Sequence, residues 1–359
     1  MKNNENLLKS VSLKPFKYLT PSVRTEAYCI LALLLPHVLM LLLTKSFASI
    51  AIIISSLLAS LFVDITDHAA NRKDAFMITV SIIRGLAIGL MIPSAFSPFT
   101  VFFITLSVLL LNRYVLGGFA NSWVNPVAVT VAICWIIGMQ FFPQLSISLS
   151  DLQVRNPALT LIQNGSIPVL SVDPKITGFL NEKLFSMFGV AIPDGYISFL
   201  WDTHSIIPAF RFNLLTLVSS IYLFAFNLLS PIIPCVFLIT YGGLVRLVAP
   251  FLYNGPLFNG DVILAFLSSG VLFSTIFLLQ WHGTTPLTNR GKFFYGLFAG
   301  ILAFLIIGVG MSSSGYVFTI LIINVISPLI QSIENHYLKK DISTSLVEKA
   351  ISVSEGEHA

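Results

Sequence analysis

Leu116-Gly117-Gly118-Phe119-Ala120-Asn121-Ser122-Trp123-Val124-Asn125-Pro126 lies between two strongly apolar runs, Phe99 to Leu111 and Val127 to Phe142. Two adjacent glycines, two asparagines and a proline do not extend a simple membrane helix. Irregular backbone at membrane depth is tolerated only where it is buried in protein or lines a polar cavity. In membrane proteins such breaks mark ligand or ion sites. The stretch therefore reads either as a tight turn between ordinary helices or as a buried site, and the rest of the chain favours the site. On that reading Gly117, Gly118, Asn121, Asn125 and Pro126 are candidate binding residues.

Working outward, hydrophobic residues make up 55% of the 359 and charged residues 10%, and the mean hydropathy is +0.87. A soluble globular domain has no use for such a composition. Ten apolar runs approach the length that crosses a bilayer, about 20 residues: 26–44, 47–65, 75–93, 98–116, 124–142, 209–229, 232–250, 261–280, 293–311 and 314–332. The first is not a cleavable signal peptide, because the polar leader Met1 to Arg24 precedes it and no small-residue cleavage site follows. The expected fold class is an all-α integral membrane protein of ten transmembrane helices with one long external loop. The chain divides into a cytoplasmic segment 1–25, a five-helix half 26–142, the external (periplasmic) loop 143–208, a second five-helix half 209–332 and a cytoplasmic tail 333–359. Five crossings per half imply that the halves, as repeats, are inverted with respect to each other. The loop reads as ordered with short helices, and the polar tail beyond about Ser332 as frayed.

The cations set the orientation. Lys2, Lys9, Lys14, Lys17, Arg24, Arg72, Lys73, Arg113, Arg290, Lys292, Lys339, Lys340 and Lys349, 13 of the 20 Lys and Arg, fall on one side if the runs alternate. Lys45, Arg155, Lys175 and Lys183 fall on the other, three of them in the long loop. Short loops rich in Lys and Arg stay cytoplasmic, so both termini are expected inside. The net charge of +4 is this topology signal and not a nucleic-acid footprint.

Metal and nucleotide chemistry find no purchase. Cys29, Cys134 and Cys235 sit apart inside apolar runs and read as packing residues. His37, His68, His204, His282, His336 and His358 are scattered, with no HxxxH or HExxH pair. No P-loop, dinucleotide fingerprint or GxSxG is present.

Several segments, in order, resemble one family: the D subunit of the Rnf ion-translocating oxidoreductase and its relative, the B subunit of the sodium-pumping NADH:quinone reductase. Leu19-Thr20-Pro21-Ser22-Val23 followed by Ile30-Leu31-Ala32-Leu33-Leu34-Leu35-Pro36 is similar to the family's SPH…ALLPA start. The stretch from Arg113 through Gly117, Gly118, Asn121, Asn125 and Pro126 to Val127 looks like its KxxFGGxGxNxFNPA. Thr288-Asn289-Arg290-Gly291-Lys292 with Tyr295-Gly296 and Gly300 matches RGR…YG…G, and Ile320 to Ile330, with Asn324 and Pro328, matches LLxNxxxPLID.

Two departures stand against this resemblance. Family members carry FMN esterified through phosphate to a threonine in a DxxSxATPL motif. The counterpart is Asp151-Leu152-Gln153-Val154-Arg155-Asn156-Pro157-Ala158-Leu159-Thr160, in which the acceptor position is Pro157. Proline has no hydroxyl, and Thr160 nearby lacks the small, serine-containing context of the recognition sequence. The resemblance thus implies no covalent FMN here; any FMN or riboflavin is held non-covalently. At Gln280-Trp281-His282 the family has TDP, so an acidic residue near the cytoplasmic mouth is lost.

Charges inside apolar runs are costly and usually face the bundle interior. Asp64 and Arg246 lie near run ends and read as snorkelling to the interface. Arg84, midway along the third run beside Gly85 and Gly89, is expected to pair with an anion or carbonyls inside the bundle. Most aromatics read as lipid-facing or belt residues.

The resemblance implies a membrane subunit of an Rnf-type complex that couples electron transfer between ferredoxin and NAD to sodium or proton translocation. It would sit in the cytoplasmic (inner) membrane. Its partners would be a flavin-bearing G-like subunit, membrane A- and E-like subunits, cytoplasmic B- and C-like subunits and the lipid bilayer. Two rivals stand beside it: a flavin-free structural subunit of such a complex, and a redox-silent channel or transporter on the same scaffold.

Overall fold

The computed structural model describes residues 21–71, 75–115, 123–142, 168–189, 191–252, 254, 260–309, 312 and 314–357. It is all helical, with no strand among the described residues. The first half supplies α1 (Val23–Leu43), α2 (Phe47–Asn71), α3 (Ala75–Met91), α4 (Pro98–Tyr114) and α5 (Pro126–Gly138). The connecting segment carries α6 (Asp173–Lys183) and α7 (Tyr196–Trp201). The second half supplies α8 (Asn213–Ala225), α9 (Ile232–Leu247), α10 (Val262–Ser268), α11 (Val271–Phe277), α12 (Asn289–Ile307) and α13 (Gly315–Glu357). Four of these, α1, α2, α12 and the first part of α13, are long and apolar enough to cross a membrane; α3, α4, α5, α8 and α9 are shorter apolar helices.

Local chemistry fixes the helix starts. Ser22 caps α1 through Thr25 N–H, Thr288 caps α12 through Gly291 N–H, and Pro98 and Pro126 stand at the first helical positions of α4 and α5. Pro36 removes a backbone donor inside α1, and in the same turn His37 donates Nδ1–H to the Leu33 carbonyl at 3.3 Å. Close approach of α2 and α3 depends on glycine. A Cβ on Gly85 would stand 2.7 Å from Leu57 Cα, and one on Gly89 2.6 Å from Ile53 Cα. Ser56 Oγ bonds the Gly85 carbonyl at 2.8 Å and Ser60 Oγ the Ser81 carbonyl at 2.7 Å in the same seam.

The helices of each half touch in corresponding pairs: second with third, second with fourth, fourth with fifth, first with third, and third with fifth. Here α10 and α11 together stand third in the second half. Across the halves, α1 packs on α8 and α5 on α13, first on first and fifth on fifth. One apolar core runs through both halves without interruption.

Contacts sort the helix ends into two groups. At one end Arg211 donates to Ser46 in the α1–α2 turn at 2.7 Å, Ser94 N–H donates to the Ile206 carbonyl at 3.0 Å, and Phe96 packs on Phe141 and Phe142. At the other, His282 lies 3.4 Å from Glu26, Gln280 donates to the Ser230 carbonyl at 2.9 Å, and Thr288 and Glu334 hydrogen bond.

Three sequence expectations change. The run 261–280 is not one helix: it breaks at Ser268-Ser269-Gly270, a break that its unbroken apolar pattern hides. The second run continues to Asn71. The last helix does not end near residue 332 but runs to Glu357, with Ile333, Tyr337 and Leu338 extending its apolar pattern.

Candidate functional site

The discontinuous helix α10–α11 is the centre of the molecule. Asp261 caps α10 by accepting from Leu264 N–H at 2.9 Å. At the break, Gly270 adopts φ +66, where a side chain is strained, and a Cβ there would run into the Phe210 ring. The interruption frees backbone groups inside the bundle, and neighbours meet them. Asn213 Nδ2 donates to the Leu267 carbonyl at 3.0 Å, and Ser269 Oγ to the Ala265 carbonyl at 2.7 Å.

At the far end of α11 two carbonyls project into the core. Leu278 O accepts from Asn125 Nδ2 at 2.9 Å, and Leu279 O accepts from Tyr295 OH at 3.2 Å. Asn125 is wholly buried, and its Oδ1 accepts from Val127 N–H at 2.9 Å, capping α5 with Pro126 next to it. Tyr295 OH also lies 3.4 Å from Asn324 Oδ1 on α13, and Tyr316 OH lies 3.0 Å from Thr275 Oγ1 on α11. Every one of these side chains is closed to solvent. Half-helix ends ringed by polar side chains are the form in which membrane proteins present carbonyl oxygens to ions.

Asn125 and Pro126 therefore belong to this centre. Gly117, Gly118, Asn121, Pro157 and Thr160 lie outside the described residues. Arg84 joins a different group. It is buried on α3 and feels the charge of Asp64 on α2, which in turn pairs with Arg113 on α4 at 3.3 Å. Asp64 is thus enclosed between helices instead of snorkelling, because α4 brings it a cation. Arg246 is exposed and donates to the Gly260 carbonyl at 3.2 Å.

The turn after α11 holds a second surprise. Gln280 anchors on Ser230, Trp281 is buried, and His282 faces Glu26 of α1. The acidic residue missing from the turn itself is matched by a carboxylate arriving from another helix. Sequence reading missed Tyr295, Tyr316, Asn324, Glu26 and His37 as members of polar clusters. The signal for His37 was available, since Ala27, Leu34, His37 and Leu41 follow helical spacing along one buried face.

Outside the bundle, two carboxylates organise the connecting segment. Asp202 takes Arg211 through two bonds, Nε–Oδ1 at 3.0 Å and Nη2–Oδ2 at 2.6 Å. Asp173 accepts from Ser198 Oγ and Ser198 N–H, both at 2.5 Å, from Gly195 N–H at 2.8 Å and from Thr177 Oγ1 at 2.9 Å. Burial pushes the Asp173 carboxyl up, but the bonds from Ser198, Gly195 and Thr177 outweigh it and hold the group below the usual carboxylate range. Tyr196 is pushed up by burial and by the charge of Asp261.

A flavin ester does not fit this chain at the position its resemblance indicates, because Pro157 has no side-chain hydroxyl. Among the described residues no group of three or more His, Cys, Asp or Glu is placed to hold a metal ion.

The chain is 22% identical over 291 residues, 79% of its length and 81% of the relative's, to the D subunit of the proton-translocating ferredoxin:NAD(+) oxidoreductase complex of Clostridium ljungdahlii. It is 28% identical over 124 residues, 34% of its length and 33% of the relative's, to the D subunit of the ion-translocating oxidoreductase complex of Stutzerimonas stutzeri. The pattern of the NQR2, RnfD, RnfE family matches from residue 10 to residue 339. That span takes in both halves, the discontinuous helix and the asparagine that grips it, and the chain belongs to this family.

Proposed function

We propose that this chain is the D-type membrane subunit of an ion-translocating complex that couples electron transfer between ferredoxin and NAD to movement of sodium ions or protons across the cytoplasmic membrane. The observation that carries this reading is the family match over residues 10–339, laid on a bundle whose centre is a discontinuous helix. A broken helix costs backbone hydrogen bonds and is retained in a bilayer where it serves a polar path. In this reading the helices make ten crossings as two inverted halves, with both termini cytoplasmic. The repeated pairing of helices within each half and the first-on-first and fifth-on-fifth contacts between halves support it.

Asn125, Pro126 and the carbonyls of Leu278 and Leu279 form the membrane site, with Gly117, Gly118 and Asn121 leading into it along the sequence. Arg84 with Asp64 and Arg113 forms a second charged station. Electron carriers reside mainly in partner subunits: the G-like flavoprotein outside, A- and E-like subunits in the membrane, and B- and C-like subunits in the cytoplasm. The connecting segment, with α6 and α7, faces the external partner. This subunit carries no covalent FMN, and FMN or riboflavin is held here only through non-covalent contacts.

The test is purification of the chain from its native membrane under mild detergent. Co-purifying subunits with ferredoxin-dependent NAD reduction, coupled to cation uptake by inverted vesicles, are the expected result. The chain should give no fluorescent band under ultraviolet light after denaturing electrophoresis. An isolated chain without partner subunits would overturn the reading in favour of a redox-silent transporter.

A further inference from the structure

α1 turns Ala27, Leu34, His37 and Leu41 into the seam between the halves. His37 is fully enclosed there, edge-on to Phe273 and Phe277 of α11 at ring distances of 5.6 and 5.9 Å. In the neutral ring, Nδ1–H donates to the Leu33 carbonyl at 3.3 Å and Nε2 accepts the Thr216 hydroxyl at 3.2 Å. That hydroxyl also lies 3.4 Å from the Phe212 carbonyl. When Nε2 takes a proton, Thr216 can turn its hydrogen to Phe212 and accept from Nε2. Neither protonation state leaves a buried donor or acceptor unmet, which removes one part of the cost of charging a ring inside a protein; the desolvation of the charge itself is the larger part and remains.

A second observation lies to one side of this ring. A cleft between α1, α3 and the end of α11 is walled by Ile30, Val80, Ile83 and Phe277, and Gln280 and His282 stand at its polar mouth. Glu26, three turns before His37 on α1 and about 16 Å away along the axis, meets His282 there at 3.4 Å, and both side chains are partly exposed. Phe277 belongs to both places: it walls the cleft and packs against the His37 ring. Histidine carries a donor and an acceptor nitrogen in one ring, so it can take up a proton at one nitrogen while the other keeps its hydrogen bond.

From these contacts we infer that the seam between the halves carries a proton-binding site: His37 holds the proton inside the membrane, the His282–Glu26 pair passes it to and from the cytoplasm, and Phe277 is the barrier between them. The inference rests on the ion-translocating, termini-inside reading above and gives that reading a named acceptor. A hydronium ion at the mouth gives its proton to the His282 imidazole and leaves as water; water admitted when the Phe277 ring moves carries the proton inward to the Nε2 lone pair of His37, and only N–H and O–H bonds are made and broken. The groups facing His37 are the Leu33 carbonyl of α1, Thr216 and the Phe212 carbonyl of α8, and Phe273 and Phe277 of α11. No charged side chain is among its contacts with the described residues. Facing His282 is Glu26 of α1, with Arg24 two residues earlier on the same helix, and α3 brings Phe76, Val80 and Ile83 to the same cleft.

The test is NMR of isotopically labelled histidine nitrogens in the whole purified complex. The His37 signal is assigned by its loss in His37→Phe, a side chain suited to a phenylalanine-walled site. Should that variant fail to assemble, Thr216→Val, which removes only the hydroxyl partner, assigns the signal by shifting it. Lowering the pH should convert His37 from the Nδ1–H tautomer to the doubly protonated ring. Phe277→Ala should speed its proton exchange about tenfold and His282→Gln slow it by a similar factor, each equivalent to one decade of rate. A ring that stays neutral down to the acid limit of the folded complex overturns the site. Exchange indifferent to both Phe277→Ala and His282→Gln overturns the route. Both readouts concern one ring, so they do not depend on coupling to ferredoxin or NAD; absence of partner subunits counts against the functional reading alone.

Discussion

Asn125 does with one amide what two residues would otherwise do. Its oxygen caps α5 and its nitrogen holds the Leu278 carbonyl at the end of α11, so a single side chain fastens the first half to the broken helix of the second. Asn125→Ala removes the cap, worth about 1 kcal/mol, and leaves a buried carbonyl unmet, worth roughly 1–3 kcal/mol. Thermal unfolding in detergent should show a clearly lowered midpoint, and Asn125→Asp should not rescue it, because a carboxylate caps the helix but cannot donate to Leu278. An unchanged midpoint in the alanine variant would mean that the bond across the halves carries no stability. Asp173 is the comparable residue outside the bundle, and its contribution depends on pH. Its folded carboxyl lies below the unfolded value of about 3.9. The stabilisation is therefore complete above that unfolded value and is lost as pH falls through the lower folded value. Hydrogen exchange at the Gly195 and Ser198 amides should be slow at neutral pH and rise in strong acid. In Asp173→Asn it should be fast at every pH, so that the variant and the parent converge only at the acid end.

The scale of the element is where the sequence and the fold part company. Gly270 holds the α10–α11 break with a positive φ and with no room for a side chain against Phe210. Gly270→Ala should destabilise by about 1–3 kcal/mol through backbone strain and steric overlap together. Adding Phe210→Ala should recover the overlap and not the strain, so the double-mutant cycle separates the two. Additivity between the variants would show that the ring does not limit the break. The break itself was not legible in the run 261–280, because Ser268, Ser269 and Gly270 sit between segments apolar enough to carry the average through. The long helices were legible for the opposite reason: an apolar run of membrane length has few other solutions. The glycine and asparagine stretch lies mostly outside the described residues; its last two, Asn125 and Pro126, start α5, and Asn125 reaches Leu278 O. The partner that Asn125 meets there, Leu278 O, comes from more than 150 residues away, and no local pattern announces it. Arg84 showed its cost but not its company, since the pairing of Asp64 with Arg113 depends on how α2, α3 and α4 meet.

At the scale of the whole molecule, orientation can be argued from two independent distributions. One is contact: the α1–α2 turn, the α3–α4 turn, the end of α5 and the approach to α8 meet at one end through Ser46, Arg211, Ser94, Ile206 and Phe96. The start of α1, the α8–α9 turn and the turn after α11 meet at the other through Glu26, His282, Gln280 and Ser230. The second is charge: Arg24, Arg113, Arg290 and Lys292 lie at helix ends of the second group, while the first has Lys45 in a turn and Arg211, whose charge is matched by Asp202. Cations in short connections are retained in the cytoplasm, so the end that carries Glu26 and His282 should face inward and the α6–α7 segment outward. A reporter fused after Lys340 should then remain cytoplasmic, and one inserted near Asn164 should be exported. Lysine and arginine substitutions in the α1–α2 turn beside Lys45 should weaken export of the second reporter without moving the first, because later cationic turns hold the second half in place. Both reporters on one side of the membrane would break the alternation from which the two inverted halves are built, and with it the assignment of the His282–Glu26 mouth to the cytoplasm.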